Sequence, residues 1–296
     1  MTRSPALRFA AFLVTIATSL VAWAGTPIDQ TRSLAADGTV SIENIAGSVT
    51  VTGWDRNEVR VTGELGTTAR KLDIDGNDTR LDIRVDQPDG RGRVSPSRLE
   101  IRVPRGAAVE IDTVSADISI DEFGGRVDVE TVSGDVDIAG RPARIEAESV
   151  SGDVRVALAT DRADLATVSG DIDIARIEGR LDAETVSGTI TVRGGELTGA
   201  DLESVSGTIR CEAELVGRGD IDMETMSGAL VLTVPAGISA DFELSTFSGS
   251  IRSDMGPEPE RTSKYAPGTE ASFSTGTGGP RISLTSFSGR IELSTR

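Results

Sequence analysis

A Ser-Gly step recurs at Ser133, Ser151, Ser169, Ser187, Ser206, Ser227, Ser248 and Ser288, at spacings of 18, 18, 18, 19, 21, 21 and 40 residues. Self-similarity at a fixed period near 20 restricts a chain to repeat architectures, in which one short unit stacks on its copies. Ser115-Ala116 extends the series one period upstream. The gap of 40 holds two periods, one of them occupied by an irregular Pro-, Gly-, Ser- and Thr-rich insert, residues 253–280.

Aligning the units on the serine produces columns. Three residues after it stand Ile118, Val136, Val154, Ile172, Ile190, Ile209, Leu230, Ile251 and Ile291; five after it the column is again mostly apolar and includes Cys211. Four residues before it the column runs Ile111, Val129, Ala147, Leu165, Ala183, Leu202, Met223, Leu244 and Leu284, with mostly polar residues between. Alternation with period two on both sides of a Thr-Val-Ser-Gly corner predicts two short strands per coil, each burying one face. One coil cannot bury its stripe alone, whereas a stack spaced by about 4.8 Å builds a continuous core. The expected fold is all-β, a parallel β-solenoid (β-helix) with 18 to 21 residues per coil. Glycine at the corner is expected to supply a backbone conformation that other residues resist. Residues 109–296 form the regular part. Residues 25–108, with Val40 to Val51 in the same frame, read as a less regular β-rich section containing the first coil or coils.

Residues 1–24 read as a secretory signal peptide: Arg3 and Arg8, an uncharged apolar run from Phe9 to Ala22, and the small-x-small pattern Ala22-Trp23-Ala24. The mature chain is expected outside the cytoplasm, in the periplasm, the cell envelope or the extracellular space. The apolar run is too short to span a bilayer and nothing comparable follows, so membrane insertion of the mature chain is not expected. Cys211 is the only cysteine, which rules out an intramolecular disulfide and a lipid-bearing cysteine after the leader. Without the leader, 28 basic face 47 acidic side chains, a formal charge of −19 that opposes binding to nucleic acid.

The opening Val40-Ser41-Ile42-Glu43-Asn44-Ile45-Ala46-Gly47-Ser48-Val49-Thr50-Val51, followed by Gly53-Trp54, then Ile101-Arg102-Val103-Pro104 and the serial Thr-Val-Ser-Gly units, resembles the bacterial putative-adhesin family. That family comprises exported β-strand repeat proteins of unknown function. The resemblance covers nearly all of the mature chain, implies the architecture, and brings no catalytic motif with it.

Two acidic columns stand out. Five residues before the serine come Glu110, Asp128, Glu146, Asp164, Asp182, Asp201, Asp222 and Glu243; three before it come Asp112, Glu130, Glu148, Glu184, Glu203 and Glu224, interrupted by Ala166. Stacking would place like charges one strand spacing apart, a repulsion of roughly 0.9 kcal/mol per neighbouring pair in water before screening. The rows are candidate calcium ligands or a strip for a cationic partner; alternatively they form a solvated face that keeps a repetitive β protein soluble. A further column, Asp117, Asp135, Asp153 and Asp171, lies on the other strand and is expected to be solvated. The Thr/Ser column reads as a structural corner ladder, and Cys211 as a buried core residue.

No histidine is present for a zinc site or a Ser-His dyad. Trp54 and Tyr265 are the only tryptophan and tyrosine after the leader and lie far apart in sequence, which offers no sugar-stacking platform. The expected function is therefore non-catalytic: an adhesin-like binding or envelope structural protein, without a cofactor, presenting an extended acidic face to a protein or glycan. The alternative is a carbohydrate-active β-helix enzyme, a lyase or hydrolase using paired carboxylates, which would need one coil of distinctive chemistry.

Overall fold

The computed structural model describes residues 25–88, 93–263 and 267–296. The leader and Tyr265 lie outside them. The described chain is all-β, and no helix in it is long and apolar enough to cross a membrane.

Six strands precede the regular repeat: β1 Thr26–Ser33, β2 Thr39–Trp54, β3 Glu58–Leu65, β4 Lys71–Gly76, β5 Arg80–Asp86 and β6 Ser97–Pro104. The repeat comprises β7 Ala108–Phe123, β8 Arg126–Thr131, β9 Val136–Gly140, β10 Arg144–Ser149, β11 Val154–Leu158, β12 Arg162–Thr167, β13 Ile172–Thr185, β14 Thr189–Leu215 and β15 Ile221–Val234. The remainder is β16 Ala240–Thr246, β17 Ser250–Ser253, β18 Glu260–Arg261, β19 Thr269–Thr275 and β20 Arg281–Thr295.

Each coil contributes to two parallel ladders that meet at the Thr-Val-Ser-Gly corner. Before the corner, β7, β8, β10, β12 and the end of β13 pair in register, Arg144 opposite Arg162 and Arg162 opposite Arg180. After it, β9, β11 and the start of β13 do the same, Val136 opposite Val154 and Val154 opposite Ile172. Register is pinned because a slip of one residue would turn every apolar column outward. The columns of both ladders fill a single core: Ile111, Val129, Ala147, Ile118, Val136 and Val154 are each at most 1% exposed. Each fully buried Val, Ile or Leu contributes on the order of 1.5–3 kcal/mol, which compensates for the near absence of aromatic side chains.

The corner glycines have a different cause from the expected one. Their φ angles are not positive. A Cβ on Gly152 would overlap the carbonyl oxygen of Gly134, and one on Gly170 that of Gly152. Coils approach so closely at this edge that no side chain fits between them.

Both ends of the stack depart from chain order. At one end β2 lies directly on β7, with β5 and β6 on its far side; antiparallel β4 and the β3–β1 pair follow outward. At the other end β20 lies between β15 and the β16–β17 coil, pairing in parallel with both. Part of the 253–280 stretch, an irregular insert in the sequence, covers this end: β19 runs antiparallel on β16, and Phe273 stacks on Phe242 at 4.9 Å. Alternating apolar residues at Ala271 and Phe273 give this segment a face to pack, which its Gly and Pro content masked.

Candidate functional site

The strand before each corner turns every second side chain outward. In β7 these are Glu110, Asp112 and Val114, alternating with buried Val109, Ile111 and Thr113. Stacking repeats the triplet, so one face carries three parallel rows along the axis: an outer acidic row, an inner acidic row and an apolar row at the corner.

The outer row is charge-compensated. Two residues before four of its acids, Asp128, Glu146, Asp164 and Asp182, stands an arginine, and Arg126, Arg144 and Arg162 each reach both their own coil and the next. Arg126 contacts Asp128 and Glu146, each at 3.3 Å. Arg144 reaches Asp164 at 2.8 Å, Arg162 reaches Asp182 at 2.6 Å and Asp164 at 2.8 Å, and Arg180 reaches Asp182 at 3.1 Å. Arg80 and Arg281 extend the pattern to Glu110 at 3.0 Å and Glu243 at 2.9 Å. At Asp164 burial raises the carboxyl pKa, but hydrogen bonding and charge from Arg162 outweigh it and hold the value below the ordinary range. The arginine column is interrupted at Gly199 and Asp220. There burial, followed by the charges of Asp222 and Asp182, pushes Asp201 up. The like-charge repulsion expected along both rows is thus met in the outer one by the chain's own arginines: most of that row belongs to an Arg–Asp/Glu lattice.

The inner row is bare. Asp112, Glu130, Glu148, Glu184, Glu203 and Glu224 are exposed and face one another in register across the coils, with Ala166 as the gap. Among the described residues no arginine or lysine pairs with any of them. Partial burial, and then the neighbouring carboxylates, raise the pKa of Asp112, Glu130 and Glu203. Their side chains stand side by side rather than converging: among the described residues no three acidic groups gather to hold a metal ion.

The third row is apolar and exposed. Val114, Val132, Val150, Val168, Val186 and Val205 are followed in stack order by Met226, Phe287 and Phe247, all between 45 and 61% exposed. Phe247 and Phe287 stack at 5.0 Å. Between this ridge and the inner carboxylates runs a groove of about 1020 Å³, floored by the buried Thr/Ser column. Sequence reading took the valines as marking a bend. Their place in the outward parity of the strand, two residues after each inner acid, was the signal for a surface row. Towards β5 the ridge continues to Ile45, where a smaller cavity of about 480 Å³ is lined by Asn44, Gln87 and Val114 among others. Asn44 is 2% exposed, and neither Oδ1 nor Nδ2 has a hydrogen-bond partner.

The remaining columns hold the corner together. Ser149 and Thr167 accept hydrogen bonds from the backbone N–H of Gly152 and Gly170 at 2.8 and 3.0 Å, and Thr113 donates to Thr131 at 2.8 Å. The hydroxyls of Ser204, Thr225, Thr246 and Ser286 have no partner. The second aspartate column, expected to be merely solvated, is structural. Asp117, Asp135, Asp153 and Asp171 each accept the backbone N–H of the residue one coil further on, at 2.7 to 3.2 Å. Cys211 is buried, and burial pushes its thiol pKa up to about 12. The Trp54 ring has Arg56 and Arg102 over it at 5.1 and 5.9 Å, and its indole N–H donates to the Glu58 carbonyl. It serves the local packing.

The family profile described as Toastrack DUF4097 matches residues 39–294. No curated protein matches the chain. Similar solved structures include a putative adhesin from Bacteroides fragilis NCTC 9343, 13% identical, with a TM-score of 0.48 over 92% of this chain and 97% of that one. A putative adhesin from Parabacteroides distasonis ATCC 8503 is 13% identical, with a TM-score of 0.44 over 91% and 98%. A putative lipid binding protein from Parabacteroides distasonis ATCC 8503 is 14% identical, with a TM-score of 0.36 over 71% and 95%.

Proposed function

Since the chain belongs to the Toastrack DUF4097 family, an adhesin-like family of unknown function, we propose that it is an exported, non-catalytic β-solenoid that binds an extended partner along its three-row face. The observation that carries this reading is the uniformity of that face. From Asp112 to Glu224 successive coils offer a carboxylate beside an exposed apolar side chain, with Ala166 as the one gap among the acids. A catalytic centre needs one place unlike the rest, where an acid, a base and a substrate-positioning group converge. A repeated surface instead suits a ligand longer than any one coil, held by many modest contacts. The leader and the strongly acidic surface support a role outside the cytoplasm, against a protein or glycan.

The test is adhesion of the purified protein to an array of glycans and peptides, alongside a variant carrying Val168→Ser and Val186→Ser with Glu148→Gln and Glu184→Gln. Binding that the variant loses, with no cleavage of any polysaccharide offered, is the expected result. Depolymerisation of a glycan, or retention that the variant does not alter, would overturn the reading. Cell fractionation with and without residues 1–24 checks export separately.

A further inference from the structure

Resting on that binding reading, we propose that the corner groove is a docking site for one amphipathic α-helix of a partner polypeptide, bearing a lysine or arginine stripe beside an apolar stripe. The helix lies along the stack axis between Asn44 and Phe247.

The chemistry of the groove points to this occupant. Its two walls have different chemistry, carboxylates on one side and Val, Met and Phe on the other, so the ligand must carry cations and apolar groups in adjacent parallel stripes. The arginines of this face are committed to the outer row, which leaves the inner row as the unmatched charge. A contiguous exposed apolar strip is the kind of surface that marks an interaction site. Finally, part of the floor column lacks partners: the Asn44 amide and the hydroxyls of Ser204, Thr225, Thr246 and Ser286. Asn44 holds the floor-column position of the β2 coil, opposite Thr113, and lines the smaller cavity beside Ile45.

Pitch selects a helix over a strand. Coils repeat every ~4.8 Å, and the 5.0 Å separation of the Phe247 and Phe287 rings agrees with that spacing. A helix advances about 5.4 Å per turn, drifting by about 0.6 Å per coil, so it stays within half a spacing for about four coils. Side chains on one face of a strand recur every ~6.6 Å and lose register within two coils. The nine residues from Val114 to Phe247 span about 38 Å, or roughly seven helical turns.

Charge argues against two other occupants. A second copy of this chain brings a bare acidic row against its own like, and an anionic membrane surface meets the same repulsion. A basic helix gains on both walls at once.

The test uses the purified protein and a 25-residue Leu/Lys peptide with helical periodicity, a scrambled peptide of the same composition, a Leu/Glu counterpart and zwitterionic lipid vesicles. Calorimetry measures affinity, and circular dichroism measures helix gained on mixing. The Leu/Lys peptide is expected to bind with a gain of helix, at least tenfold more tightly than the scrambled one. Glu130→Gln with Glu148→Gln is expected to weaken binding at least fivefold and to flatten its salt dependence, and Val168→Ser with Val186→Ser to weaken it at least tenfold. Cooperative melting and unchanged far-ultraviolet spectra establish that each variant is folded. Equal binding of the scrambled peptide, indifference to the ridge variant, or capture of vesicles in preference to peptide would overturn the proposal. If the helix fails while an array ligand is still lost with the ridge variant, the binding reading stands and the helical occupant falls.

Discussion

Gly170→Ala tests the reading of the corner, because two explanations of its glycines predict different outcomes. The added Cβ would overlap the Gly152 carbonyl oxygen, far inside the contact distance of about 3.5 Å, so neighbouring coils must part by roughly 1 Å. Two hydrogen bonds between these same coils, from Ser169 N–H to the Val150 carbonyl at 3.0 Å and from Val168 N–H to the Ser149 carbonyl at 3.2 Å, would then be overstretched. Loss of two such bonds costs about 2 kcal/mol, and overpacking adds about 1–3 kcal/mol. At roughly 2–4 °C per kcal/mol for a chain of this size, Tm falls by about 6–20 °C. Gly194→Ala is the comparison: Gly194 has φ of +70° with nothing within 4 Å of a Cβ. Its cost is limited to left-handed strain of about 1 kcal/mol, which Gly194→Asn partly relieves. Thermal unfolding of all three variants by circular dichroism decides the matter. A Gly170→Ala protein that melts within about 2 °C of wild type, or one rescued by asparagine at 170, would refute close approach as the cause.

Arg162→Leu takes one of two arginines from each of Asp164 and Asp182, which keep Arg144 and Arg180, and urea titration at pH 7 is expected to show a loss of about 1 kcal/mol at these half-exposed contacts. Because the Asp164 pKa is lowered in the folded protein, the wild-type advantage is full above the ordinary aspartate range and vanishes as pH falls through the folded value; a gap that persists in acid contradicts the pairing. Glu130→Gln has the opposite sign. Burial and then Asp112 and Glu148 raise the Glu130 pKa, so its charge costs stability above that raised value, and the variant is expected to gain about 0.5–1 kcal/mol at pH 7. That gain fades as pH falls through the ordinary glutamate range, and a destabilised Glu130→Gln would sink the account. Cys211 is expected to resist a thiol reagent until the protein is denatured; labelling of native protein would place it outside the core. Millimolar calcium and magnesium at equal ionic strength are expected to shift Tm alike, since the inner acids do not converge, and a calcium-selective rise would point to a site they form together.

The buried columns were legible because burial repeats at every coil, and a recurring apolar position has one physical meaning in a strand. The acidic rows were legible as rows but not in their electrostatics. Arg144 stands two residues before Glu146 in sequence, yet it is 3.8 Å from that acid and 2.8 Å from Asp164 one coil away. Cross-coil pairing appears only when the stacking register is known. Val114 and its equivalents were read as part of a bend because apolar side chains are ordinarily assigned inward. The position of β20 was the least legible of all. Coils that share the same columns can stack on one another in any order, so nothing in Ile282, Leu284, Ile291 or Leu293 distinguishes an outermost coil from an inner one.

The placement of β20 also bears on the timing of folding. Residues 240–253 leave the ribosome before residues 281–295, yet in the finished stack they lie further from β15. Growth of the stack by simple addition stops at β15, and the next coil to be synthesised has no permanent neighbour until the following one slots beneath it. The Arg296 side chain then pairs with Glu212 and Glu214 at 3.4 and 3.1 Å, and its backbone N–H donates to the Val234 carbonyl, fastening the latecomer to coils already formed. A nascent chain built this way holds one end open until synthesis has passed residue 295.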